Sequence, residues 1–144
     1  MNMLGAITVF LVLASSALFA AEGWMTDLEA AFAQARKEKK PLLVGFTGSD
    51  WCQACIEMRR KVFAKKKFIS QASRDFILVE LDFPNNNLAV REKNAPYAKK
   101  FKIDSFPTVV LIDERKKEFD RFPATQYPTT SKFLAHLKSA LKKK

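Results

Sequence analysis

Histidine and cysteine are nearly missing from this chain, which has one histidine, His136, and two cysteines, Cys52 and Cys55, among 144 residues. A structural zinc site takes four side-chain ligands. With His136 in a distant helical pattern and no third cysteine, a zinc reading of the pair runs short of ligands. Charge is missing at the N-terminus, where Met1 to Ala21 carries no charged side chain. Charge is also missing between the cysteines, where Gln53 and Ala54 stand. Internal repeats and low-complexity linkers are absent, so the chain reads as one alternating α/β unit.

What is present is Trp51-Cys52-Gln53-Ala54-Cys55. The stretch follows an apolar run, Leu42-Leu43-Val44-Gly45-Phe46, and opens a helical pattern through Ile56, Arg59, Val62 and Phe63. A C-x-x-C at a strand-to-helix junction suits reversible dithiol/disulfide chemistry. The first cysteine sits where unpaired N–H groups and the positive dipole end favour a thiolate. The second lies about one turn on, within reach of a mixed disulfide. A purely structural disulfide is the plainer alternative, but it would close a very short loop and remove little unfolded-chain entropy.

The uncharged N-terminus carries an apolar core, Ala6 to Ala14, followed by Ser15-Ser16-Ala17 and Leu18-Phe19-Ala20-Ala21. It reads as a secretory signal peptide over residues 1–21. No Lys or Arg precedes the core, and Leu18 stands three places before a cut after Ala20. An uncleaved membrane anchor therefore stays open, the stretch being close to the ~20 residues of a span. Either reading exports the rest to the periplasm or an equivalent space, where thiols meet oxidants.

Residues 22–144 are enough for one domain with a real core. They carry the whole net charge of +10. The basic runs, such as Arg59-Arg60-Lys61 and Lys65-Lys66-Lys67, are spread over several elements without interleaved aromatics, so they are read as solvated faces and not as a nucleic-acid groove. A weak attraction to anionic surfaces is the sharper alternative.

Thr26-Asp27-Leu28-Glu29 fits a capping box ahead of an apolar stripe, Leu28, Ala31, Phe32, Ala35. Leu42 to Phe46 reads as a strand buried on both faces. A short helix is expected around Phe68, Ile69 and Ala72, then a strand from Phe76 to Asp82. Pro84 to Asn87 reads as a loop and Ala95 to Phe101 as a short helix with Pro96 in its first turn. Thr108 to Ile112 and Glu118 to Phe122 form a hairpin. Thr129 or Thr130 caps a last helix bearing Phe133, Leu134, Leu137 and Leu141. His136 borders that stripe and reads as a boundary or exposed residue.

This order, with W-C-x-x-C and Phe106-Pro107-Thr108 heading a strand, resembles the thioredoxin family over roughly residues 24 to 141. The resemblance implies an α/β thioredoxin fold, with a central mixed sheet flanked by helices and an N-terminal helix extension. It implies a redox pair Cys52/Cys55, a cis Phe106–Pro107 bond beside it, and substrate contacts from Trp51, Phe106 and Pro107. It implies no metal and no other cofactor. Gln53-Ala54 and the run Phe106 to Asp113 look closest to the periplasmic C-terminal domain of the reductase DsbD and to stand-alone secreted relatives.

One position departs from the family. Thioredoxins carry a buried carboxylate in the strand before the motif, where Gly45 stands here. Glu80, mid-strand among Leu78, Val79 and Leu81, is the first candidate to replace it as proton acceptor; otherwise Glu80 faces solvent. Asp50 is the second candidate, although its charge would oppose a thiolate. The expected chemistry is attack of the Cys52 thiolate on a substrate disulfide, then attack of Cys55 on the mixed disulfide. Partners would be protein or peptide disulfides and a membrane or soluble thiol partner. A thiol oxidase, and a non-catalytic binding or chaperone module of the same fold, are the alternatives.

Overall fold

Leu42, Leu43, Val44 and Phe46 are all fully buried in β1 (Leu42–Thr47), as a strand must be when helices cover both faces. The computed structural model describes residues 23–144, and the segment read as a signal peptide or anchor lies outside them. β1 is an inner strand of a four-stranded sheet ordered β2–β1–β3–β4, with β2 Ile77–Asp82, β3 Thr108–Ile112 and β4 Glu118–Pro123. It runs parallel to β2 and antiparallel to β3, and β3 and β4 form the expected hairpin. The helices are α1 (Leu28–Glu38), α2 (Gln53–Met58), α3 (Lys66–Ala72), α4 (Leu88–Lys100) and α5 (Thr130–Ala140). Among the described residues no helix is long and apolar enough to cross a membrane.

Strand alternation divides the core in two. Leu42, Val44 and Phe46 pack with Val79, Leu81 and Val110 beneath α1, joined by Tyr97 and Phe101. Leu43, Leu78, Val109 and Phe122 face Met58, Val62, Phe68 and Phe133 on the other side. There Phe133 meets Phe63, Phe68 and Phe122 edge-on at 5.3, 5.4 and 5.5 Å between ring centres. Each such pair adds about 0.5–1.5 kcal/mol beyond its buried area. This cluster fixes α2 and its extension against α5, and so fixes the height of the cysteines above the sheet.

The outer edge of β2 is partly covered. The Met25 amide donates to Leu78 O at 2.9 Å and its carbonyl accepts from Glu80 N at 2.8 Å. Trp24 is buried alongside and donates its indole N–H to Phe63 O at 3.1 Å.

Three local expectations are corrected. α1 is capped by Asp27, not Thr26: the Asp27 carboxylate accepts from Ala30 N at 3.0 Å, while Glu29 pairs with Lys116 at 3.5 Å. An acidic cap also suits the positive end of the helix. α4 begins at Leu88 instead of Ala95, because Asn87 caps it by accepting from Val90 N at 3.3 Å. Pro96 thus falls inside the helix, at an exposed position, where its ring nitrogen donates no hydrogen bond to the preceding turn. Finally, Ile56 is 40% exposed, and the buried residues of α2 are Cys55 and Met58.

Candidate active site

Cys52 is the N-cap of α2 and is disulfide-bonded to Cys55 one turn later. The chain reaches this point through a tight loop after β1. Cys52 N donates to Gly48 O at 2.9 Å, and Gly48 N donates to Cys55 Sγ at 3.4 Å. Only glycine fits at position 48, since a Cβ there would run into the Trp51 indole. Cys55 N donates to Cys52 Sγ at 3.2 Å. A sulfur that accepts a backbone N–H at a helix start is placed to carry negative charge when the pair is reduced. In this oxidised form both cysteines are buried, at 7% and 3% exposure, so the two differ little in accessibility here.

Trp51, Phe106 and Pro107 gather around the pair. The Phe106–Pro107 peptide is cis, and the Phe106 carbonyl oxygen lies 3.8 Å from Cys52 Sγ. Trp51 is 44% exposed and meets Phe106 edge-on at 5.6 Å. Its indole N–H donates to Phe83 O at 2.8 Å, which anchors the ring to the loop after β2. Thr108, buried at the head of β3, donates its hydroxyl to Ser105 O at 2.8 Å and pins the turn that carries Phe106.

The loop before Trp51 is tied to the end of β2 and the loop after it by contacts that sequence reasoning missed. Ser49 N donates to Asp82 Oδ1 at 2.9 Å, and the Ser49 hydroxyl donates to Oδ2. Asp50, the second candidate proton acceptor, is exposed and accepts from Asn85 N and Asn86 N at 2.9 and 2.8 Å. Those bonds, Asn85 first, hold its carboxyl below the usual range. Asp50 is thus a loop clamp and a weak proton acceptor.

Glu80 lies directly opposite Gly45 in the parallel ladder. The two belong to one row on the face beneath α2, continued by Val109 and Phe122. The missing side chain at Gly45 leaves a gap in that floor. A cavity of about 30 Å³ fills it, shared by Gly45, Cys55, Arg59, Glu80, Pro107 and Thr108. That is room for one water. The Glu80 side chain is 20% exposed, with Oε1 at 3.5 Å from the Arg59 guanidinium. Burial pushes its carboxyl above the usual 4.5, Arg59 pulls it down, and Asp82 pushes it up. The sequence places Arg59 in the basic run Arg59-Arg60-Lys61, read as a solvated face; its position four residues after Cys55 puts it on the same helix face as that cysteine.

His136 lies at the far end of this row from Glu80, where α5 meets β4, with its ring 4.6 Å from that of Phe122. Its Nε2 is 2.8 Å from Asp120 Oδ2, and its ring stacks on Tyr127 at 4.1 Å. It is a boundary residue, as its place beside the α5 stripe suggested. Among the described residues no three His, Cys, Asp or Glu side chains cluster to hold a metal ion.

A thioredoxin-like family model matches residues 23–114, most of the described chain. The chain belongs to the thioredoxin-like family. Within it, the chain is 32% identical over 115 residues to the disulfide bond reductase DsbH of Chlamydia pneumoniae, covering 78% of this chain and 69% of that protein. A solved DsbH oxidoreductase structure covers 84% of this chain and 85% of its own, at 31% identity and a TM-score of 0.73. The thiol:disulfide interchange protein DsbD of Yersinia enterocolitica is 28% identical over 115 residues, 80% of this chain but only 18% of DsbD. The oxidised C-terminal domain of Neisseria meningitidis DsbD superimposes with a TM-score of 0.62 over 81% of this chain and 98% of that domain, at 20% identity, a likeness of fold. This thioredoxin-like chain is therefore a member of a disulfide oxidoreductase family with its own Cys-x-x-Cys pair in place.

Proposed function

We propose that this chain is an exported thiol–disulfide oxidoreductase that reduces or exchanges disulfides in proteins or peptides. The observation that carries the reading is the Cys52–Cys55 pair at the start of α2, with the Phe106 carbonyl 3.8 Å from Cys52 Sγ. The backbone beside Pro107 offers an extended substrate segment a place to pair. Trp51 and Phe106 give its flanking apolar side chains a surface.

In the reaction the Cys52 thiolate attacks one sulfur of the substrate disulfide, and the other leaves as a thiolate. Cys55 then loses its proton to Glu80, directly or through one water in the shared cavity. Its sulfur attacks Cys52, the mixed disulfide breaks, and the substrate leaves reduced by two electrons while Cys52–Cys55 is oxidised. An external dithiol, soluble or membrane-borne, returns the pair to its reduced form.

The reducing direction is supported by Gln53-Ala54, which brings no charge to stabilise the reduced thiolate, and by the likeness to a protein named as a disulfide bond reductase. Export, whether by signal peptide or anchor, is supported by the uncharged apolar stretch before Ala21. The test is reduction of insulin disulfides with dithiothreitol as the electron source. Turnover that disappears in Cys52→Ser is expected, and turnover unaffected by that change would refute the reading.

A further inference from the structure

Glu80 is half-buried under α2 with a single charged partner close enough to form an ion pair, Arg59. The remaining charge that acts on it is Asp82, two residues along its own strand. The other elements around the cavity bring none: Gly45, Phe46 and Thr47 from β1, Pro107, Thr108 and Val109 at the head of β3, and Trp24 from the N-terminal segment. Arg59 is four residues after Cys55, on the same side of the helix, so one side chain borders both the carboxylate and the resolving cysteine. α2 also changes character here. Arg59–Phe63 is a π-helical turn in which the Arg59 carbonyl accepts from Ala64 N at 2.8 Å. Such turns re-aim side chains within a helix and cluster at functional sites.

We propose that Arg59 is a positioning residue for the exchange reaction, its guanidinium holding the Glu80 carboxylate in the cavity beneath Cys55 in the form that accepts a proton. This rests on the oxidoreductase reading above and on Glu80 as the acceptor. Burial beneath the helix disfavours the charge of an isolated carboxylate and so favours the protonated form, which accepts no further proton. The guanidinium offsets that cost. Its own side chain is 49% exposed, so the pair stands at the cavity mouth and not sealed within it. When the Cys55 S–H breaks and the proton reaches Glu80, the ion pair loses its attraction. The proton then leaves Glu80 for solvent through the cavity mouth at which Arg59 stands. The proton balance closes there, while the electron pair stays on the Cys55 sulfur and forms the bond to Cys52.

The pair's exposure means that its loss costs little in folding, so Arg59 variants remain folded and the effect is read in kinetics. Reduced protein is mixed with an aromatic disulfide reagent whose released thiolate is coloured. The first phase is attack by Cys52, and the second is displacement by Cys55. In Arg59→Met the acidic limb of the second-phase rate should move to higher pH, giving a rate roughly three- to tenfold lower on that limb. Arg59→Lys should restore most of it. In a Glu80→Gln background, Arg59→Met should leave the limb where it is. A limb that does not move in Arg59→Met overturns the proposal, and so does an equal displacement with Glu80→Gln, which would mean that Arg59 acts on the cysteines alone. Absence of a second phase in the parent would instead refute the oxidoreductase reading.

Discussion

Glu80 and Gly45 are direct partners in the parallel ladder between β2 and β1, so the carboxylate stands one strand away from the place the family resemblance reserves for it. The row beneath α2 keeps an acid at the same height under Cys55, reached from the side and across a residue with no side chain. The gap at Gly45 and the acid at Glu80 are one arrangement.

That arrangement predicts a transplant. A Cβ built at Gly45 meets nothing nearer than the Val79 carbonyl at 3.8 Å, so a Cβ is accommodated there, beside the cavity. Glu80→Gln should slow displacement by Cys55 at neutral pH, by at least about tenfold if Glu80 is the general base. Adding Gly45→Asp should recover a substantial part of that loss. A double variant as slow as Glu80→Gln would separate the two positions.

Glu80 also predicts a dependence of stability on pH. Burial raises its folded-state carboxyl above the ordinary 4.5, despite Arg59. A raised group supports the fold fully below its unfolded value, and that support is lost as pH rises through the folded value. Glu80→Gln escapes the loss. The difference in Tm should therefore move in favour of Glu80→Gln between about pH 4 and about pH 7. A difference that stays constant over that range would mean Glu80 is effectively solvated.

The two cysteines should differ once reduced. Cys52, the helix cap beside the open Phe106 turn, should alkylate first and titrate below the ~8.5 of free cysteine. Cys55, beneath the Gly48 amide, should react later. Cys55→Ser should accumulate mixed disulfides through Cys52 and so capture substrates. Faster modification of Cys55 would reverse their roles.

Much of this was legible because the carrying signals are local. Leu42 to Val44 and Val109 to Ile112 are unbroken apolar runs, and both lie in strands paired on either side in the sheet. Cys52 and Cys55 are named from their spacing, and Trp51, Phe106 and Pro107 from the family resemblance; the five come together in space. α4 was cut short because its pattern is inverted: Leu88 is 64% exposed while Asn94 is buried, donating to Asp82 O at 2.8 Å. The Ser49–Asp82 and Trp51–Phe83 contacts span more than thirty residues of sequence, and no periodicity encodes them.

Those long-range contacts carry their own prediction. Asp82→Ala removes both acceptors of Ser49 and frees the loop that presents Trp51 and Cys52. Hydrogen bonds to charged groups contribute about 1.5–3 kcal/mol each, so a stability loss of roughly 3 kcal/mol is expected from the two. Faster amide exchange at Ser49 to Cys52 should accompany it. Unchanged exchange there would show that the loop is held by other means.

The reduction potential of the Cys52/Cys55 couple, measured by equilibration with glutathione, tests the proposed function most directly. Each 30 mV of potential is about 1.4 kcal/mol between the two forms. With Gln53-Ala54 between the cysteines, the account predicts a value in the range of glutaredoxins and thioredoxin, roughly −200 to −270 mV. A value near the ≈ −120 mV of the strong oxidant DsbA, with efficient oxidation of a reduced unfolded protein, would contradict it.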